Sequence, residues 1–228
     1  MITVRSNVTR YLLDGETPMF WIDIETTGLD PQEDIILEVG LKVTNQNLLE
    51  LARYTSLVTS VLPHPVPTLA KAPQVVQEMH RASGLTSAIE QLCNSEIAHN
   101  FWPEKVELQA RDFLVNFLDN TPIEMPAMCG SSVHFDREFL RIHMPKLHEF
   151  FGYRNRDVSS IKEFCALYNP RVAGYLKAEQ SDWTKVHRPQ EDLDASIREL
   201  KFYLTEFLMV DDSVNLEDSH DPAQLPLF

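Results

Sequence analysis

Near the start of the chain, Asp23 and Glu25 stand two residues apart in a short run, residues 20–25, where apolar and charged side chains alternate. That alternation marks a β-strand, and on a strand residues two apart project to the same face. Two carboxylates on one face repel when both are ionised, and a hard divalent cation such as Mg2+ or Mn2+, bound through oxygen, removes the conflict. A solvated edge strand carries the same Asp-x-Glu pattern without an ion, so the pair alone points both ways. Further along, Asp136 follows Ser131-Ser132-Val133-His134-Phe135 at a strand-to-helix junction, and His187 precedes Asp192 by five residues. These are three more arms for one site.

The elements that must position those arms read as follows. Residues 20–25 run into Thr26-Thr27-Gly28-Leu29-Asp30-Pro31, which has turn chemistry. Residues 35–44 and 51–61 read as further strands parted by the polar Asn45-Gln46-Asn47 turn, which makes an antiparallel meander of three. The prolines at 63, 65 and 67 each lack a backbone donor, so residues 63–67 are expected to be a connecting loop. Helical patterns cover 73–81, 86–93, 103–118 and 135–143, the last carrying Asp136 near its start. A short strand is expected over 125–129, and another ends at Asp157. Ser160 with Glu163 reads as a capping box opening a helix to Tyr168. Over 191–209, Leu193, Ile197, Leu200, Tyr203 and Leu204 recur at helical spacing and form the face of a last helix that packs on the sheet.

Three patches resemble the motifs of the Asp-Glu-Asp-Asp superfamily of 3′→5′ exonucleases: Asp23-Ile24-Glu25-Thr26-Thr27-Gly28-Leu29, Asp136, and His187-Arg188-Pro189-Gln190-Glu191-Asp192 of the His-x(4)-Asp type. Within that superfamily the chain is most similar to the oligoribonucleases. The similarity runs in patches over residues 20–207 and includes His80-Arg81-Ala82-Ser83-Gly84-Leu85, Met144-Pro145-Lys146-Leu147, Tyr153-Arg154 and Asp157-Val158-Ser159. It implies an α/β, ribonuclease-H-like mixed sheet, with three antiparallel strands first and then parallel strands, flanked by helices. It also implies that Asp23, Glu25, Asp136 and Asp192 bind two divalent cations, Mg2+ or Mn2+, with His187 as general base. Two such ions about 3.5–4 Å apart activate water and stabilise the leaving oxygen, and an imidazole with an ordinary pKa of about 6.5 is largely neutral at physiological pH.

By the same resemblance Leu29 and His80 flank the terminal bases, and Ser132, Tyr153, Arg154 and Ser159 shape a pocket for the far phosphate of a short substrate. A two-fold dimer, each subunit completing the other's pocket, is likewise implied. The chain departs from the family pattern in having Thr26 where methionine is usual, Pro189 for alanine, Glu191 for aspartate, and Val75 where an aromatic helps close the base pocket. None of these removes a metal ligand, and Val75 loosens the expected closure around a dinucleotide.

The 228 residues are expected to form one exonuclease domain over 1–210 and a flexible acidic tail over 211–228. The tail ends in Gln224-Leu225-Pro226-Leu227-Phe228, which resembles the pentapeptide by which bacterial replication proteins dock on the sliding clamp. Gln224, Leu225, Leu227 and Phe228 are its candidate contacts. A clamp tether would favour DNA ends, so a DNA exonuclease for proofreading or repair stands beside the RNA-fragment exonuclease, and a binding protein on a decayed nuclease fold is the non-enzymatic alternative. The net charge of −14 argues against a broad electrostatic grip on duplex phosphate without excluding nucleic acid, and the resemblance implies single-stranded 3′ ends of short RNA or DNA as the partner. Cys93, Cys129 and Cys165 lack paired spacing, no stretch approaches a membrane span, and residues 1–14 contain no signal-peptide core, so a cytoplasmic protein with reduced thiols is expected.

Overall fold

The computed structural model describes residues 5–8, 12–13, 16–60, 64–118, 125–180 and 186–208. Among these described residues six strands form one mixed sheet: β1 Arg5–Val8, β2 Met19–Thr26, β3 Ile36–Thr44, β4 Glu50–Leu57, β5 Met128–Gly130 and β6 Asn155–Asp157. Their spatial order is β1-β4-β3-β2-β5-β6. β2, β3 and β4 pair antiparallel as the meander requires, and β5 and β6 then join β2 in parallel. This is the ribonuclease-H-like arrangement expected. β1, antiparallel to β4, is an addition that four residues of sequence did not signal.

The helices are α1 Pro65–Leu69, α2 Gln74–Ala82, α3 Leu85–Cys93, α4 Pro103–Val115, α5 His134–His143, α6 Pro145–His148, α7 Val158–Tyr168, α8 Pro170–Gln180 and α9 Pro189–Glu206. Residues 65–69 correct the expected loop. Proline is excluded from a helix interior, yet in the first turn its missing N–H has no partner to lose. His64 caps that turn, its Nδ1 accepting from the Val66 amide at 3.3 Å. The capping box at Ser160 is also corrected: Asp157 is the N-cap, its carboxylate accepting from the Ser159 amide at 2.9 Å, so the helix starts three residues earlier. α6 and α8, each opened by a proline, went unread.

The period of two along β2 and β3 sorts their side chains onto two packed faces. Phe20, Ile22 and Ile24 of β2, with Val39, Leu41 and Val43 of β3, enter a core shared with α4, α5 and α6. Met19 and Trp21 face the other way, into a core with α7, α8 and α9 that includes Cys129, Val158, Leu193, Leu200 and Tyr203. Trp21 is wholly buried and its indole donates to Thr44 Oγ1 at 3.0 Å. A smaller cluster of Leu37, Leu69, Leu85 and Ile89 packs α1 and α3 onto the edge of the first core. The three cysteines are free thiols. Among the described residues no helix is long and apolar enough to cross a membrane.

Candidate active site

The row that begins with Met19 and Trp21 continues to Asp23 and Glu25, so both carboxylates lie on the α9 face. β5 pairs with β2 only at Phe20 and Trp21 and ends at Gly130. Beyond that end β2 has lost its neighbour, and a buried N–H without an acceptor is costly. Asp136, buried in the first turn of α5, takes the missing place: its Oδ1 accepts from the Ile24 amide at 3.0 Å. The positive end of the helix favours an acidic residue there.

Asp192 arrives from α9. Three residues of β3 on this face, Glu38, Gly40 and Lys42, each engage that helix. Glu38 accepts two hydrogen bonds from Arg188, at 2.6 Å to Nε and 2.6 Å to Nη2. Lys42, fully buried, pairs with Asp194 and lies 3.3 Å from Glu50. Gly40 lies between them, and a Cβ there would collide with the Pro189 ring. Gln190 adds a bond to the Tyr54 carbonyl at 2.7 Å. The first turn of α9 is thereby held flat on the sheet.

The outcome is that one carboxylate oxygen from each of Asp23, Glu25 and Asp192 lies within 4.8 Å of the other two. Burial raises the pKa of Glu25 to about 8, reinforced by Asp192 and Glu38 and partly offset by Arg188. Burial also pushes Asp23 well up, with Asp136, Asp192 and Glu25 adding to it. Asp136 is raised by burial against the opposing effect of its backbone donors. Such carboxylates ionise together only with a cation among them. An all-oxygen donor set of this kind fits a hard divalent cation.

His187 lies just before α9, half-buried, with a φ of 51°. A non-glycine residue held there stores backbone strain that the surrounding structure must hold. His80, expected to flank a base, has no exposed surface instead: its Nε2 donates to the Thr26 carbonyl at 2.8 Å and its Nδ1 lies 3.7 Å from Glu25 Oε2. Burial lowers its pKa, so the ring is a neutral prop under the acidic row. Leu29 is 81% exposed at the tip of a braced loop, in which Thr27 Oγ1 donates to Asp34 at 2.8 Å and the Asp30 amide at 3.0 Å. A Cβ on Gly28 would strike that same Asp34 carboxylate.

Ser132 and Ser159 come together beyond the ends of β5 and β6. The Ser132 amide donates to Ser159 Oγ at 3.2 Å and to Asp157 Oδ1 at 2.9 Å, while Ser132 itself has a φ of 54°. Tyr153 and Arg154 precede β6 and so lie at its opposite end, with the guanidinium 4.8 Å over the exposed phenol ring. Gln224, Leu225, Leu227 and Phe228 lie outside the described residues, as does all of 209–228. The sequence reading missed Glu38 and Arg188 as parts of the site. The signal for Glu38 was its place, with Lys42, two residues either side of Gly40 in an otherwise apolar strand, and Arg188 carried no signal beyond its place next to His187.

Solved structures with the same fold include the exonuclease I–single-stranded DNA complex of E. coli, with a TM-score of 0.55 at 12% identity, covering 85% of this chain. A product-bound exonuclease I gives 0.56 at 13% identity over 83% of this chain. The chain spans about two fifths of the length of those proteins, 41% and 44%. The family model described as exonuclease (RNase T) matches residues 20–200. Oligoribonuclease of Chromobacterium violaceum is 35% identical over 194 residues, 84% of this chain and 96% of the relative. That of Hahella chejuensis is 36% identical over 85% and 97%, and that of Corynebacterium glutamicum 33% over 96% and 93%. The chain belongs to the exonuclease family and, within it, to the oligoribonucleases.

Proposed function

We propose that this chain is a 3′→5′ exoribonuclease that hydrolyses the terminal phosphodiester of short single-stranded oligonucleotides and releases 5′-mononucleotides. The observation that carries the reading is the meeting of Asp23, Glu25 and Asp192 within 4.8 Å, with buried Asp136 bonded to the backbone between the first two. These four would hold two divalent cations, Mg2+ or Mn2+, which when bound acidify water and stabilise the leaving 3′ oxygen. The chain's own groups do the rest. His187 accepts the proton of the attacking water. Leu29 packs against a terminal base, His80 supports Glu25 from beneath, and Ser132 and Ser159 receive the far phosphate. Tyr153 and Arg154 lie at the other end of β6, so they serve the pocket of a second copy in a two-fold dimer.

The test is a side-by-side assay of a ribodinucleotide and a long single-stranded DNA with Mg2+ or Mn2+. Fast cleavage of the dinucleotide and slow cleavage of the DNA is expected, and the reverse order would overturn the substrate class. A second reading, of partner rather than reaction, rests on Gln224-Leu225-Pro226-Leu227-Phe228. Docking of this peptide on a sliding clamp would bring the enzyme to replication sites by raising its local concentration. Changing Leu227 and Phe228 to Ala should abolish binding to purified clamp and leave dinucleotide cleavage unchanged.

A further inference from the structure

Asp23, Glu25, Glu38 and Asp192 crowd the α9 face of the sheet, and Asp136 joins these four carboxylates from α5 at the open edge of β2. Glu38 is paired directly with Glu25 across the β2–β3 ladder and is buried, so it lies beside the ligand group without being one of the three carboxylates whose oxygens converge. Both of its oxygens are already taken. Arg188 Nε donates to Oε2 and Nη2 to Oε1, and Thr55 Oγ1 adds a longer bond to Oε1 at 3.4 Å. The guanidinium fork matches a carboxylate in a way a lysine ammonium cannot.

We propose that Arg188 is a resident cation of the site: it withdraws Glu38 from the ligand set and, through the same two bonds, pins the segment from His187 to Asp192 over Asp23 and Glu25. It is a positioning residue, since it touches no reacting atom. The inference rests on the exonuclease reading for its kinetic consequences. The geometry behind it is independent of that reading. Arg188 is the N-cap of α9 and adjoins His187, whose left-handed backbone has to be held by its neighbours. Without the guanidinium Glu38 would be an uncompensated buried anion, free to compete for a cation meant for Glu25 and Asp23.

The experiment uses the full chain with three variants: Arg188→Lys, Arg188→Gln, and the double variant Glu38→Gln with Arg188→Gln, which leaves no orphaned charge and guards against a folding failure. Mn2+ binding is measured by calorimetry, the His187 ring resonance of the metal-free protein by NMR, and kcat and KM on a ribodinucleotide. Outer partners of metal ligands are worth about 10–100-fold in affinity or rate. Arg188→Lys and the double variant are expected to lose kcat by that factor with KM little changed, to bind Mn2+ more weakly, and to show a broadened or shifted His187 signal. Arg188→Gln, with Glu38 released, should alter the number or affinity of Mn2+ bound relative to the double variant. If the folded double variant keeps wild-type Mn2+ affinity and an unchanged His187 signal, the proposal is wrong. Should the wild type cleave no oligonucleotide, the function falls while the calorimetry and NMR still judge Arg188.

Discussion

The Ile24 amide donates to Asp136 Oδ1 at 3.0 Å, and by that bond a residue 112 positions away stands in for the strand that β5 stops providing. Ile24 lies between the two carboxylates of the first motif. One bond therefore completes the backbone of β2 and brings a third carboxylate to the site.

Replacing Asp136 should separate those two duties. Asp136→Asn keeps an acceptor for Ile24 and removes the charge, so it should fold with little loss of stability and lose most hydrolysis. Asp136→Ala leaves a buried amide unsatisfied, at about 1–3 kcal/mol. Chemical denaturation of both variants reads the difference, and equal stabilities would show that the bond does not hold β2.

The carboxylates make the metal-free protein sensitive to pH. Glu25 titrates near 4.5 when unfolded and at about 8 when folded. The folded state thus binds the extra proton, and its contribution is full below about pH 4.5 and lost as the pH rises through 8. In chelator the melting temperature should fall over that window, by about 2–4 °C for each kcal/mol lost. Added Mg2+ or Mn2+ should restore it most at the alkaline end. Glu25→Gln should flatten the dependence, and a melting temperature that rises with pH in chelator would contradict the assignment.

At Gly40 the backbone of β3 comes close against Pro189 at the start of α9. Gly40→Ala sets a methyl against the Pro189 ring, and overpacking of this kind costs about 1–3 kcal/mol. The strain is relieved most easily by lifting α9, so activity should fall further than stability does. Mn2+ titration and thermal melting compare the two losses. A variant with normal Mn2+ binding would mean that the helix need not lie so close.

His187 should matter for rate and little for metal retention. His187→Ala is expected to lower kcat by about 100- to 10,000-fold, the span for a general base. Mn2+ affinity, measured by calorimetry, should stay near that of the wild type. A tenfold weaker affinity would move His187 from proton transfer to metal binding.

Much of this molecule was legible in the chain alone, because its periodicities are local. Alternation over residues 20–25 marked a strand and assigned Asp23 and Glu25 to one face, and residues 35–44 read as a further strand, close to the observed Met19–Thr26 and Ile36–Thr44. The apolar spacing of Leu193, Leu200 and Tyr203 foretold the helix that packs against them. Where neighbouring turns compete, local signals misled: the prolines near His64 begin α1 rather than forbid it, and Asp157 outcompetes Ser160 as a cap because its carboxylate reaches the Ser159 amide.

Tertiary structure alone decided how the carboxylates divide their work. Nothing in the spacing of Glu38 and Arg188, 150 residues apart, says that they bond, and this pairing removes one of five acidic groups from the cluster. Likewise His80 reads as a substrate contact until its ring is found buried beneath Glu25. A chain specifies which groups share a strand face or a helix face through short-range geometry. Which of those groups are neutralised, buried or left open depends on what the fold brings from far away, since the cost of burying a charge is set by its surroundings in space.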